Sequence, residues 1–237
     1  MESLSQINLS RQMALRSLMD VTANNIANMN TPGFKSQNLA FSQQIKEAQA
    51  KTSQDENLAT YRDLSQGVLS PTFNKLDMAI QGEGYFAVQT QEGVRYTRDG
   101  SFALNNNGQI VTKSGYPVLN NAGAPLAVQS GAVQVNVAED GTVSTEKGSV
   151  GKLKVAAFDD PQNLLPLGDN LQSAENAREK PLQKPQVIQA MLESSNVQPI
   201  FEMNKMIEIL RLYQSTQNIL STDHEMARGM IQKLTKV

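Results

Sequence analysis

Met203-Asn204-Lys205-Met206-Ile207-Glu208-Ile209-Leu210, residues 203–210, opens the stretch that decides the fold. Steps of alternate threes and fours from Met203 reach Met206, Leu210, Tyr213, Gln217, Leu220, His224, Ala227, Ile231 and Leu234. Eight of these ten positions are apolar, which predicts a long amphipathic helix over 200–237 with a coiled-coil-like seam. Pro199 suits the first turn of such a helix. The same stepping through the first thirty residues gives Leu4, Ile7, Arg11, Ala14, Leu18, Val21, Asn25 and Asn28, with Leu15 and Ile26 widening the stripe. It stops at Asn30-Thr31-Pro32-Gly33, where Pro32 disfavours the α conformation at Thr31 and Gly33 accepts a positive φ. At about 1.5 Å per residue the helices would be roughly 40 and 55 Å long. Neither buries its stripe alone, so the two are expected to pair and to meet further copies.

Between the ends the period falls to two. Gly84 to Gln89, Val94 to Thr97, Ser101 to Leu104, Gln109 to Thr112 and Tyr116 to Leu119 read as short strands. Gly-containing turns separate them, at Gln91-Glu92-Gly93, Asp99-Gly100, Asn105 to Gly108 and Ser114-Gly115. Further strands are expected at Val133 to Val137, Thr142 to Thr145 and Leu153 to Phe158. The whole predicts a central antiparallel all-β domain over 76–167. Residues 34–75 and 168–199 are polar with weak periodicity and read as extended or irregular connectors. The expected fold class is α+β: terminal helical assembly segments 1–33 and 200–237, two connectors, and a β domain between them.

Composition removes most chemistry. The chain has 237 residues, 39% of them hydrophobic and 19% charged, with a formal charge of -2. That charge gives no basic field for nucleic acid or anionic lipid. There is no cysteine, so disulfides, thiolate catalysis and Cys-bound zinc are excluded together. No run approaches the roughly 18 apolar residues of a membrane span. The first residues lack a basic segment followed by an apolar core, so no cleavable signal peptide is expected.

Candidate sites fail one by one. Gly82-Glu83-Gly84-Tyr85-Phe86-Ala87 fits a relaxed dinucleotide fingerprint, but a strand follows it where a helix is required, so a glycine-kinked turn is expected. Asn105-Asn106-Asn107-Gly108 lacks the acidic ligands of a calcium loop. His224, the single histidine, lies on the seam as a polar register position. Asp159 and Asp160 precede Pro161 and close a strand. No catalytic residue, cofactor or metal is expected, and the chain reads as no enzyme. Asn24, Asn25, Asn28 and Asn30 crowd the first helix's end. They either fix register at a seam or form a solvated helix end, and the residues alone leave both open.

Ala23-Asn24-Asn25-Ile26-Ala27-Asn28-Met29-Asn30-Thr31-Pro32-Gly33-Phe34-Lys35 resembles the N-terminal signature of the flagellar basal-body rod and hook family. Leu76 to Val88 with Arg95 to Phe102 resembles the family's middle block. Leu192 to Val197, followed by Glu202 to Ile207 and Arg211 to Gln214, resembles its C-terminal block. The three stand in family order and span nearly the whole chain. Asp63-Leu64-Ser65-Gln66-Gly67 and the single β domain resemble the proximal-rod branch, with the distal-rod branch next.

The resemblance implies a structural subunit of the basal-body rod that assembles helically through its terminal helices into drive shaft and export channel. The implied partners are copies of itself and other rod proteins, with the flagellar type III export apparatus during secretion. The implied location is the periplasmic rod. The expected assembly surface is Leu18, Val21, Asn24, Asn25 and Asn28 with Met203, Met206, Leu210, Tyr213, Gln217 and Leu220. The resemblance tips the asparagines toward register-setting contacts. Other readings are a distal-rod or hook-type axial protein, or a β binding module tethered by a coiled coil.

Overall fold

The computed structural model describes residues 2–41, 58–128, 134–175, 177–180, 182 and 185–234. They fall into two compact units, one built from 1–27, 37–62 and 197–237 and the other from 28–36 and 63–196.

The first unit holds helix α1 (Glu2–Ala27), the antiparallel strands β1 (Gln37–Phe41) and β2 (Leu58–Arg62), and helix α2 (Pro199–Leu234). Gln12 donates to the Tyr213 hydroxyl at 3.1 Å and Asn25 donates to Glu202 at 3.3 Å. Partners on α2 thus run backwards as α1 runs forwards, so the helices pair antiparallel. Helix α1 stops at Ala27, three residues short of the Asn30 that its pattern reached. Thr31 N–H turns back to the Asn28 carbonyl at 3.1 Å, and Gly33 takes φ 70°. The local turn competes successfully with one more helical turn.

The described residues of the second unit form strands and one short 3₁₀ turn, joined by loops. Its first strands are β3 (Leu69–Pro71), β4 (Met78–Gln81), β5 (Tyr85–Thr90), β6 (Gly93–Thr97), β7 (Phe102–Leu104) and β8 (Ile110–Thr112). Next come β9 (Val135–Val137), β10 (Thr142–Thr145), β11 (Gly148–Lys152) and β12 (Val155–Phe158). The last are β13 (Leu165–Pro166), β14 (Leu171–Ser173), β15 (Glu179–Lys180), β16 (Gln186–Gln189) and β17 (Met191–Glu193). The largest sheet has the order β13-β14-β6-β5-β12-β15, and its pairs are antiparallel.

Strand β5 shows how the core is made. Period-two geometry sends Phe86 and Val88 to one face and Tyr85 and Ala87 to the other. Both faces are covered. Phe86 and Val88 join Met78, Ile80, Phe102 and Ile110 in one cluster; Tyr85 and Ala87 join Tyr96, Leu119, Phe158 and Leu164 in a second. Edge-to-face pairs Phe86–Phe102 (5.1 Å) and Tyr96–Phe158 (4.9 Å) set the packing.

The glycine turns fall where the sequence placed them. Gly82 and Gly84 take φ 86° and 139° between β4 and β5, so the dinucleotide-like motif is a kinked turn. Asn105 accepts from the N–H groups of Asn107 and Gln109 and closes the β7–β8 loop. Asp160 caps a short 3₁₀ turn at Pro161–Asn163.

The expected connectors differ from what is found. Residues 34–75 carry β1, β2 and β3, although 42–57 lie outside the described residues. Residues 168–199 carry β14 to β17, which pair with β6, β12, β4 and β3. Strands such as Gln186-Val187-Ile188-Gln189 are short and polar-flanked, so their alternation is faint until a partner strand supplies the hydrogen bonds. Val133, expected to begin a strand, lies outside the described residues, and that strand runs Val135–Val137.

Candidate assembly interface

The helix pair is the place to seek a partner surface, and its inward face is not the one the stripe predicts. Among the described residues of α2, Glu202, Ile209 and Thr216, seven apart, are buried, with Met206 and Tyr213 half-buried between them and Leu220 half-buried one turn further on. The expected seam positions Met203, Leu210 and Gln217 are exposed instead. The seam is therefore shifted by one residue at alternate steps, which turns the inward face by about 50°. Hydrophobicity favours Met203 and Leu210 over Glu202 and Thr216, and only the partner helix reverses that order.

The consequence is a partly inverted helix. Its interior takes Glu202 and Thr216, whereas Ile200 (75% exposed), Phe201 (63%), Met203, Ile207 (48%) and Leu210 face outwards. Ile200, Met203, Ile207 and Leu210 are spaced three, four and three, which makes one continuous apolar stripe. On α1, Leu9 and Met13 are likewise exposed, while Leu15, Thr22 and Asn25 are buried and Leu18 and Val21 half-buried. The Thr22 hydroxyl and one Glu202 oxygen have no hydrogen-bond partner among the described residues. Polar interior and apolar exterior together describe a helix pair with a second surface to cover. The side chain of His224 lies outside the described residues.

The asparagines divide. Asn25 is fully buried, and its amide grips Gln37 twice: Nδ2 donates to the carbonyl and Oδ1 accepts the N–H, both at 2.9 Å. With its bond to Glu202, it links α1, the start of β1 and the first turn of α2. This amide is engaged inside the chain. Asn28 is half-buried, and its Oδ1 accepts from the Thr31 hydroxyl at 3.2 Å, in the turn after α1. Asn24 is exposed.

A second site, in the β unit, escaped the sequence. Glu193 on β17 accepts from Lys35 Nζ (2.5 Å) and Arg98 Nε (2.6 Å), and all three side chains are buried. Lys35 also donates to the Ser65 carbonyl, and Arg98 to the carbonyls of Ile80, Gly82 and Gly84. Burial holds the Lys35 ammonium below its ordinary pKa, with the Glu193 hydrogen bond opposing that shift. Burial alone would raise Glu193, but Arg98 and then Lys35 hold its carboxyl below the ordinary value. Nearby, Asn196 Oδ1 accepts from Ser36 N–H, and its Nδ2 donates to the carbonyls of Asp63 and Ser65.

Glycine permits the crossing. A Cβ on Gly33 would lie 2.6 Å from the Arg98 carbonyl carbon, and one on Gly67 would lie 1.9 Å from the Ser194 oxygen. Lys35, Arg98 and Glu193 each come from one of the three segments that carry the family resemblance. Their separation along the chain hides the cluster from any spacing argument. The one available signal was a charged residue in each block.

This geometry defines a class: a β scaffold joined to a pair of terminal helices with an uncovered apolar face. Three family profiles match the chain. "Flagella basal body rod protein" covers residues 6–35, "Flagellar hook protein FlgE/F/G D1 domain" 79–145, and "Flagellar basal body rod FlgEFG protein C-terminal" 188–233. The chain is 38% identical to the flagellar basal-body rod protein FlgF of Caulobacter vibrioides, over 100% of both chains. It is 32% identical to FlgF of Mesorhizobium japonicum over 93% of this chain and 92% of that one. It is 33% identical to the rod protein FlgG of Buchnera aphidicola subsp. Acyrthosiphon pisum over 92% and 93%. The chain belongs to the flagellar basal-body rod protein family.

Proposed function

We infer that this protein is a structural subunit of the flagellar basal-body rod, not an enzyme, and works by assembling with other rod components. The observation that carries this reading is the apolar stripe Ile200-Met203-Ile207-Leu210, exposed on a helix whose inner face holds Glu202 and Thr216. Similarity over 100% and 93% of the chain to two proteins named as basal-body rod proteins supports it.

The finer reading places the chain in the proximal rod. There the terminal helices form the assembly domain, 1–33 with 200–237, and line an export channel within a rotating shaft. The β domain packs outwards, and torque passes through many modest contacts around a non-closing helical array. The expected assembly residues join this reading where they are exposed or half-buried: Leu18, Val21, Asn24, Asn28, Met203, Met206, Leu210, Tyr213, Gln217 and Leu220. Asn25 enters it as a positioning residue. Delivery is through the flagellar type III export apparatus, to a periplasmic rod.

The test is a double substitution, Ile207→Asp with Leu210→Asp, in a strain lacking the wild-type copy. Exposed positions tolerate such changes with about 0.5 kcal/mol or less of effect on folding. The expected result is a folded chain of normal abundance, absent from purified basal bodies, in cells that do not swim. Normal swimming with the variant in basal bodies would remove the helix-driven reading.

A further inference from the structure

Phe73 lies in the loop between β3 and β4 and is 88% exposed. Its φ is 62°, in the left-handed region that bulky side chains rarely occupy. The loop is held firmly nonetheless. Thr72 N–H donates to the Ala190 carbonyl, Ala190 N–H to Asp77, and Gln189 Nε2 to the Lys75 carbonyl at 2.7 Å. Asn74 Oδ1 accepts from Leu76 N–H, and its Nδ2 donates to Asp77. Gly or Asn would meet this backbone with less strain, and the exposed ring adds little to the unit's own packing. A rigid loop holding a strained, exposed aromatic is a preorganised anchor.

The same unit carries a complementary hollow. A cleft of about 360 Å³ is walled by Leu64, Tyr85, Phe158 and Pro161, with Lys35 and Arg98 also lining it. Glu83 lines it too, and Glu193 neutralises one cation, so the charges balance and a carboxylate gains little. Apolar walls beside cations favour the face of an aromatic ring. The cleft borders Gly82 and Gly84, just past the C-terminal end of β4, whereas the Phe73 loop enters β4 at its other end. Anchor and hollow therefore stand at opposite ends of one strand, roughly 13 Å apart along it. A contact between two different patches of one chain is heterologous, so it leaves a free anchor and a free hollow on each pair and adds further copies, as a ring or an open array, instead of closing an isologous dimer.

We propose that Phe73 of one copy seats in the Leu64–Tyr85–Phe158–Pro161 cleft of the next copy. This contact rests on the rod reading and gives the β unit its own link along the array. Two differently tagged full-length chains, both keeping Phe73, one carrying Lys75→Cys in the same loop and the other Glu83→Cys at the cleft, are co-expressed and treated with a short bismaleimide in purified basal bodies. The chain has no cysteine of its own, so a product bearing both tags reports this contact alone. The expected result is that product, with none from either variant expressed singly.

Both variants present in normal amount without the product would overturn the contact and leave the rod reading standing. A wild-type chain absent from basal bodies would overturn the rod reading, and the contact with it. In a second measurement, Phe73→Gly relieves the left-handed strain, so the monomer's melting temperature should hold or rise. Its self-association should weaken about thirtyfold, the loss expected of an aromatic hot spot. Unchanged association of Phe73→Gly would also refute the contact.

Discussion

The two units solve burial in opposite ways. The β unit hides Phe86, Met78, Ile80 and Ile110 almost completely, and pairs buried Lys35 and Arg98 with Glu193. The helical unit buries Thr22, Asn25, Glu202 and Thr216 and leaves Ile200, Phe201, Met203 and Ile207 in the open. One has a closed core, because each face of its central strand is covered. The other has polar groups where apolar ones would stabilise it most, and apolar groups where only a neighbour can cover them. Within one chain, permanence and readiness to assemble are assigned to different residues.

The sharpest way to break this contrast is Glu193→Gln. It leaves Lys35 and Arg98 buried without a counter-charge, and unfolding in urea should show a loss of about 3–5 kcal/mol. A loss below about 1 kcal/mol would mean that the cluster is not what closes the β unit.

Acid should act on the same group. Glu193 titrates below its usual value of 4.5 when folded, so its contribution is present above that pH and is lost as pH falls through the lower folded value. Melting temperature should therefore drop below about pH 4.5 in the wild type and be flatter there in Glu193→Gln. Equal acid slopes would reject this assignment.

In the helical unit, Asn25→Ala frees both backbone groups of Gln37. It should cost about 1–3 kcal/mol, seen as faster hydrogen exchange at Gln37. The smallest effect belongs to the exposed stripe. Ile207→Asp alone should move monomer stability by about 0.5 kcal/mol or less while reducing incorporation into basal bodies. A large folding defect instead would show that the stripe is already covered within the chain.

Much of this was legible in residues. The period of the end segments marked two helices, and Gly82, Gly93 and Gly108 marked turns now seen at φ 86°, 116° and 75°. The phase of the α2 stripe was not legible. Met203 and Leu210 are the more hydrophobic choice, yet Glu202 and Ile209 face inwards because Asn25 and the rest of α1 meet them there. The strands Gln186–Gln189 and Met191–Glu193 were hidden as well, since each is completed by a strand more than a hundred residues earlier.

The sequence by itself determined where the backbone is helical, where it alternates and where it turns, because those follow from neighbours within a few residues. It also carried the three family blocks, and with them the expectation of a rod subunit. Only the tertiary structure decided which helix face is spent inside the chain, that Asn25 grips Gln37, and that Lys35, Arg98 and Glu193 share one buried cluster. The physical reason is common to all three. Burial and charge pairing are set by what arrives from distant parts of the chain, and no local period records that arrival.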